Sequence, residues 1–140
     1  MKRILVPVDG SDVATRALRV AAERVRGLEA ELHVLHVEPT MTYEELRVYV
    51  VREDLEKVRR EACQRVLTAA AQVLAAEKVA HTEHLRQGEV AQTIAQMADS
   101  QAMDEVVMGT RGMGALGTLL LGSVAYRVVH LVHVPVTLVK

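Results

Sequence analysis

The sequence has no tryptophan, no phenylalanine and only three tyrosines, so it lacks the aromatic platforms on which single-stranded nucleic acids stack. Its 17 Lys and Arg are balanced by 18 Asp and Glu, a formal net charge of −1. That balance gives no electrostatic grip on a nucleic-acid backbone or an anionic membrane surface. The single cysteine, Cys63, excludes an internal disulfide and any multi-cysteine zinc or iron–sulfur centre. No stretch approaches the ~20 apolar residues of a membrane-spanning helix, and the apolar run inside the opening KRILVPVDGS is too short for a signal peptide. The expectation is a soluble, cytoplasmic protein with neither a nucleic-acid nor a membrane partner. Its 140 residues suit one compact domain over 1–140.

What is present is a repeating pattern. Ile4–Val8, Val106–Met108 and Val134–Val139 are nearly all apolar and β-branched, and Leu32–Val37 and Val79–Leu85 are less pure. Continuous rather than alternating hydrophobicity marks strands covered on both faces. Helical spacing fills the intervals. Ala14, Leu18, Ala21 and Val25 follow the N-cap candidate Ser11 and stop at Gly27. Leu55, Val58, Ala62, Val66, Ala69 and Val73 trace a longer helix with acid-before-base pairs such as Glu56–Arg60 and Glu61–Arg65 on its outer side. Val90, Ile94, Met97 and Ala98 mark a third helix; Val124, Val128, Val129 and Val132 mark a fourth. The stretch Glu38–Arg52 stays open between loop, short helix and an extension of the second helix. The order β-α-β-α-β-α-β-α-β predicts an α/β fold: an open parallel sheet with helices on both faces and right-handed crossovers. Ligands of such sheets sit beyond the carboxyl ends of the strands, where strand order reverses.

Five of the eight glycines fall between Gly109 and Gly122, in GTRGMGALGTLLLGS. They run from the end of the fourth strand to the start of the fourth helix. Glycine lets backbone N–H groups approach a ligand closely, and a helix N-terminus adds unpaired N–H groups and about half a positive charge. Together these are the means of holding phosphate. A flexible connection hinged on glycine is the alternative, but it leaves the coincidence of strand end, glycine and helix start unexplained. The segment has no lysine, so it is not a Walker A loop. Gly112-Met-Gly114-Ala-Leu-Gly117 matches G-x-G-x-x-G by letter. The acid that a dinucleotide site places ~20 positions later falls in HLVHVPVTLVK, which has none. What remains is Gly109-x2-Gly112-x9-Gly122-Ser123.

With that spacing the chain resembles the universal stress proteins, in particular their ATP-binding branch, where G-x2-G-x9-G-S/T follows the fourth strand. The likeness runs in order through ILVPVDGS, LHVLHV, VVMGTRG, LLGSVAYRVV and VPVTLVK. It implies a single-domain, Rossmann-like sheet of five strands, of the adenine nucleotide alpha hydrolase-like type, in the order 3-2-1-4-5. It also implies ATP lying across the carboxyl ends of strands one and four, with Mg2+ carried on the phosphates. Transferred residue by residue, Pro7, Val8 and Asp9 border adenine and ribose, Val37 meets the adenine edge through its backbone, and Met108 and Gly109 lie beside the ribose. Gly112, Gly122, Ser123 and Val124 offer N–H groups to the phosphates, the Ser123 hydroxyl adds a donor, and Arg111 faces the γ-phosphate. Ala125 departs from the pattern, since some nucleotide-bound relatives carry a hydroxyl there. The residues themselves leave alternatives open. Asp9 also suits a turn or cap ahead of the helix starting near Ser11, Ser123 a plain cap, Val37 the core, and Arg111 a solvated side chain.

Other chemistry finds no footing. The histidines come as His33/His36, His81/His84 and His130/His133. On a strand an i,i+3 pair points to opposite faces, and the last pair straddles a helix end where a cation is stabilising anyway; no metal site is expected. Cys63 reads as a small core residue with no neighbour to activate it. There is no G-x-S-x-G, no H-E-x-x-H, and DGSD replaces the Ser-Gly-Gly-x-Asp-Ser loop of the sheet-type ATP pyrophosphatases. No general base stands ready to activate water. The expected function is therefore an ATP-binding, nucleotide-dependent regulatory protein of the stress response without dedicated catalysis. The alternatives are a dimeric interaction module with a vestigial pocket, or a slow ATPase. Val134–Val139 carries no charge before Lys140, and an apolar sheet edge invites pairing that Pro135 blocks only mildly. The resemblance implies a homodimer in which these strands pair antiparallel across a two-fold axis.

Overall fold

The computed structural model of the chain describes residues 1–40, 52–112 and 121–140. Its elements are β1 (Lys2–Pro7), α1 (Asp12–Arg26), β2 (Ala30–Glu38), α2 (Arg52–Ala76), β3 (Thr82–Gln87), α3 (Val90–Ser100), β4 (Glu105–Gly109), α4 (Ser123–Leu131) and β5 (Val136–Val139). The strands form one parallel sheet in the order β3-β2-β1-β4-β5, so the order reverses between β1 and β4. Side chains alternate across a strand. Ile4, Val6 and Val8 accordingly pack with Leu18 of α1 and Leu74 of α2 on one face, while Leu5 packs with Ile94 of α3 and Val128 of α4 on the other.

The helix ends follow local chemistry. The Ser11 side chain caps α1 by accepting the Ala14 N–H at 3.2 Å, and Gly27 closes it. At the end of α2, Lys78 turns left-handed (φ 58°) and the Val79 N–H donates back to the Leu74 carbonyl at 3.0 Å, a Schellman closure. Val79, expected to open the third strand, is thereby part of a helix terminus, and β3 starts at Thr82. Likewise β5 begins at Val136 rather than Val134. Pro135 has no N–H to give the ladder, and its carbonyl accepts the Val106 N–H at 2.9 Å.

Two helical faces also differ from the spacing. On α2 the buried residues are Leu55, Cys63, Leu67, Ala70 and Leu74, whereas Val58 is 55% exposed and Ala69 is exposed. Turning Leu67 and Leu74 inward removes more apolar area from water than Val58 and Ala69 would. On α4, Ala125 and Val128 are buried and Val129 is exposed. Cys63 does sit in the core, where burial, then the nearby Glu38 carboxylate, push its thiol pKa up. Residues 41–51, most of the stretch left open above, lie outside the described residues.

His33 and His84, separated in the sequence pattern, meet across β2 and β3. His33 Nδ1 and His84 Nε2 lie 2.9 Å apart with stacked rings, and His33 Nε2 is 3.1 Å from Glu31, which also accepts from Arg3. If His33 Nε2–H donates to Glu31, its Nδ1 is left to accept from His84. Burial, then the proximity of His33, Arg86 and Arg3, hold His84 below its ordinary 6.5. The unfolded chain therefore binds the extra proton more readily, so this contribution to stability is present above 6.5 and is lost as pH falls below it. Thermal melts should show Tm falling on acidification through that range, and falling less in His84→Gln. Parallel falls in both proteins would assign the acid sensitivity elsewhere.

Among the described residues no cluster of three His, Cys, Asp or Glu side chains is placed to hold a metal ion, and no helix is long and apolar enough to cross a membrane.

Candidate functional site

The reversal point is built from two turns. After β1, the Val8 N–H donates to the Leu35 carbonyl at 2.8 Å, extending the β1–β2 ladder by one bond. The chain then bends sharply. Gly10 takes φ +86°, a conformation that favours glycine, and Asp9 Oδ1 accepts the Ser11 N–H at 2.9 Å. Asp9 thus serves as the turn residue, and its carboxylate stays exposed at the end of a buried strand.

After β4 the glycines play three different parts. A Cβ on Gly112 would stand 2.4 Å from Asp9 Oδ2, so the second turn lies directly against the carboxylate of the first. A Cβ on Gly109 would stand 2.5 Å from Val13 Cγ1. That glycine lets α1 pack on β4. Gly122 is the N-cap of α4, in extended conformation. Its N–H, expected to face a phosphate, instead donates to the Thr110 carbonyl at 2.6 Å and ties the start of α4 to the end of β4. Ser123 is the first helical residue rather than the cap. A glycine N-cap offers no side-chain acceptor, and the first helical bond is Tyr126 N–H to the Gly122 carbonyl at 2.9 Å. The N–H groups of Ser123, Val124 and Ala125 consequently have no acceptor within the helix.

These ends surround a cavity of about 610 Å³, within the size range of small-molecule and cofactor sites. Pro7, Val8, Asp9, Val37, Met108, Gly109, Arg111, Gly112, Gly122, Ser123 and Val124 all line it, so the structure brings together every site candidate drawn from the sequence. Ser11, Ala14, Leu35, His36, Pro39, Val90, Ile94 and Ala125 complete the described wall. Most of the lining is apolar, with Val37 and Met108 belonging to both core and cavity. Asp9 is the only carboxylate and Arg111 the only Lys or Arg among the described lining residues. Arg111 is exposed. The arrangement suits a ligand with a flat apolar part and an anionic end, the latter facing the first-turn N–H groups of α4.

The family model described as the universal stress protein family matches residues 1–140. The chain belongs to this family. A universal stress protein of Thermus aquaticus, from the QAH/OAS sulfhydrylase 3′ region, is 36% identical over 140 residues, covering 99% of this chain and 98% of the relative. Universal stress protein YxiE of Bacillus subtilis is 34% identical over 145 residues, with 99% and 98% covered. Among solved structures, the universal stress protein of Archaeoglobus fulgidus in complex with dAMP superimposes with a TM-score of 0.75 at 27% identity, over 100% of this chain and 98% of that one.

In this universal stress protein the wall also holds a histidine that the motif spacing does not assign to the site. His36 was weighed only with His33 as a metal pair, yet it lines the cavity and its Nδ1 donates to the Val8 carbonyl at 2.8 Å. Its place next to Val37, at the carboxyl end of a buried strand, was the available signal. Ala125 is buried in the wall, so position 125 brings a methyl and no hydroxyl to this cavity. Gly114 and Gly117, the second half of the letter match to G-x-G-x-x-G, lie outside the described residues.

Proposed function

We propose that this chain is an adenine-nucleotide-binding regulatory protein, a single universal stress protein domain over 1–140 whose ligand is ATP with Mg2+ carried on the phosphates. The observation that carries the reading is the apposition of Gly112 and Asp9 in the wall of one cavity: a Cβ at 112 would stand 2.4 Å from Asp9 Oδ2, so only glycine lets the two turns close together there. The A. fulgidus relative bound to dAMP supports the ligand class. In this reading Pro7 and Val8 border adenine and ribose, Val37 meets the adenine edge, Met108 lies beside the ribose, Asp9 accepts from ribose hydroxyls, and Gly112, Ser123 and Val124 donate to phosphate. Gly122 gives room rather than a donor. The 610 Å³ cavity speaks against a vestigial pocket.

Catalysis is not part of the reading. Asp9, the only carboxylate of the described lining, already accepts from the Ser11 N–H, and the His36 Nδ1 is engaged by the Val8 carbonyl, so neither stands ready as a general base. Occupancy would instead bias the two turns and the elements they join. Isothermal titration with Mg-ATP should show one saturable site per chain, and mass spectrometry of the native protein should find a co-purified adenine nucleotide. Absence of binding at millimolar ATP overturns the reading.

The protein would act in the cytoplasm, where a lone thiol such as Cys63 stays reduced, and as a homodimer joined through 134–139. β5 is a sheet edge without charge in Val136–Val139, and its Leu138 is exposed, an edge that pairing would cover. Leu138→Lys should move the sedimenting species from dimer to monomer; a variant sedimenting like the parent would remove this strand from the interface.

A further inference from the structure

His36 holds a peptide that the sheet does not. The last β1–β2 register pair is Pro7 with Leu35, and the Val8 N–H to Leu35 carbonyl bond at 2.8 Å is the ladder's final rung. Beyond it, the Val8 carbonyl accepts from His36 Nδ1 at 2.8 Å. That carbonyl belongs to the Val8–Asp9 peptide, so neighbouring residues of β2 hold both polar backbone groups of Val8, Leu35 by main chain and His36 by side chain. Rotation of this peptide would swing the Asp9 side chain away from Gly112, and Gly10 at φ +86° is the residue able to absorb the change. A carbonyl only accepts, so Nδ1 carries the proton, and the bond survives protonation of the ring.

We propose that His36 is a positioning residue for Asp9 and thereby sets how strongly the site prefers a ligand with ribose hydroxyls over one without. The inference rests on the adenine-nucleotide reading and deepens it. Its test compares ATP with 2′,3′-dideoxy-ATP by titration calorimetry on the parent protein, His36→Leu and His36→Asn. A hydrogen bond to a charged group gives the parent a preference on the order of tenfold or more for ATP. In His36→Leu that preference should collapse towards one, through loss of ATP affinity with dideoxy-ATP affinity retained. In His36→Asn, whose amide N–H takes the place of Nδ1–H, it should return. Partial unfolding would lower the apparent stoichiometry for both ligands and leave their ratio unchanged.

An unchanged preference in His36→Leu, an equal loss for both nucleotides, or failure of folded His36→Asn to restore it overturns the inference, as does a parent that binds both equally. A parent that binds neither nucleotide overturns the adenine-nucleotide reading itself, and this inference with it.

Discussion

Gly122→Asp is expected to weaken Mg-ATP binding at least ~100-fold while leaving Tm close to that of the parent protein. Fold and ligand make opposite demands at this position. Gly122 is the N-cap of α4 in extended conformation and, as glycine, has no side chain to bond the helix. Aspartate is among the best N-caps and gains a few tenths of a kcal/mol over glycine. Its Cβ would stand 3.1 Å from Arg111 Cα, a tight fit that offsets part of the gain. For a polyphosphate the same carboxylate is adverse twice. It takes up the N–H of Val124 or Ala125, and it sets a negative charge against the ligand, worth about 4 kcal/mol at ~4 Å in a medium of effective dielectric ~20. Gly122→Asn is the control, because it caps without the charge and should retain much more affinity. Calorimetry and thermal melts on the three proteins separate the effects; parent-like ATP affinity in Gly122→Asp would remove phosphate from the mouth of α4.

Gly109→Ala should do the reverse, costing about 1–3 kcal/mol of stability as an overpacked core substitution does and sparing nucleotide affinity in the folded protein. Gly109 is not left-handed, so no backbone penalty applies. The cost comes from packing: the new methyl would stand 2.5 Å from Val13 Cγ1, 3.1 Å from Val13 Cβ and 3.2 Å from the Arg111 carbonyl oxygen. Val13 is buried, and a β-branched side chain has little rotamer freedom on a helix with which to move aside. Val13→Ala vacates the contested space. The cost of Gly109→Ala should therefore shrink in the Val13→Ala background, a coupling that urea unfolding of the four proteins measures directly. Additive costs would mean that α1 does not press on Gly109.

These two glycines show where a sequence stops being informative. The spacing Gly109-x2-Gly112-x9-Gly122 pointed to one cavity, and all three residues line it. Spacing alone could not tell that Gly109 answers to Val13 of α1, Gly112 to Asp9, and Gly122 to the Thr110 carbonyl, because each partner is set by packing between elements. His33 and His84 repeat the point. Within-strand alternation separated His33 from His36 and His81 from His84, but the register of β2 against β3 decides that His33 meets His84. The inward face of α2 was equally hidden, since leucines and valines alternate round the helix and only the surface it covers chooses between them. The strands themselves were legible because burial on both faces leaves a continuous apolar run, and the reversal point followed from their alternation with helices.

The most direct measurement is a 15N–1H NMR titration of the protein with Mg-ATP. The account predicts saturable shifts of the Asp9, Gly112, Ser123 and Val124 amides, with the exposed side of α2 and the edge strand β3 little affected. Shifts confined to other surfaces, or none at millimolar ATP, would contradict it.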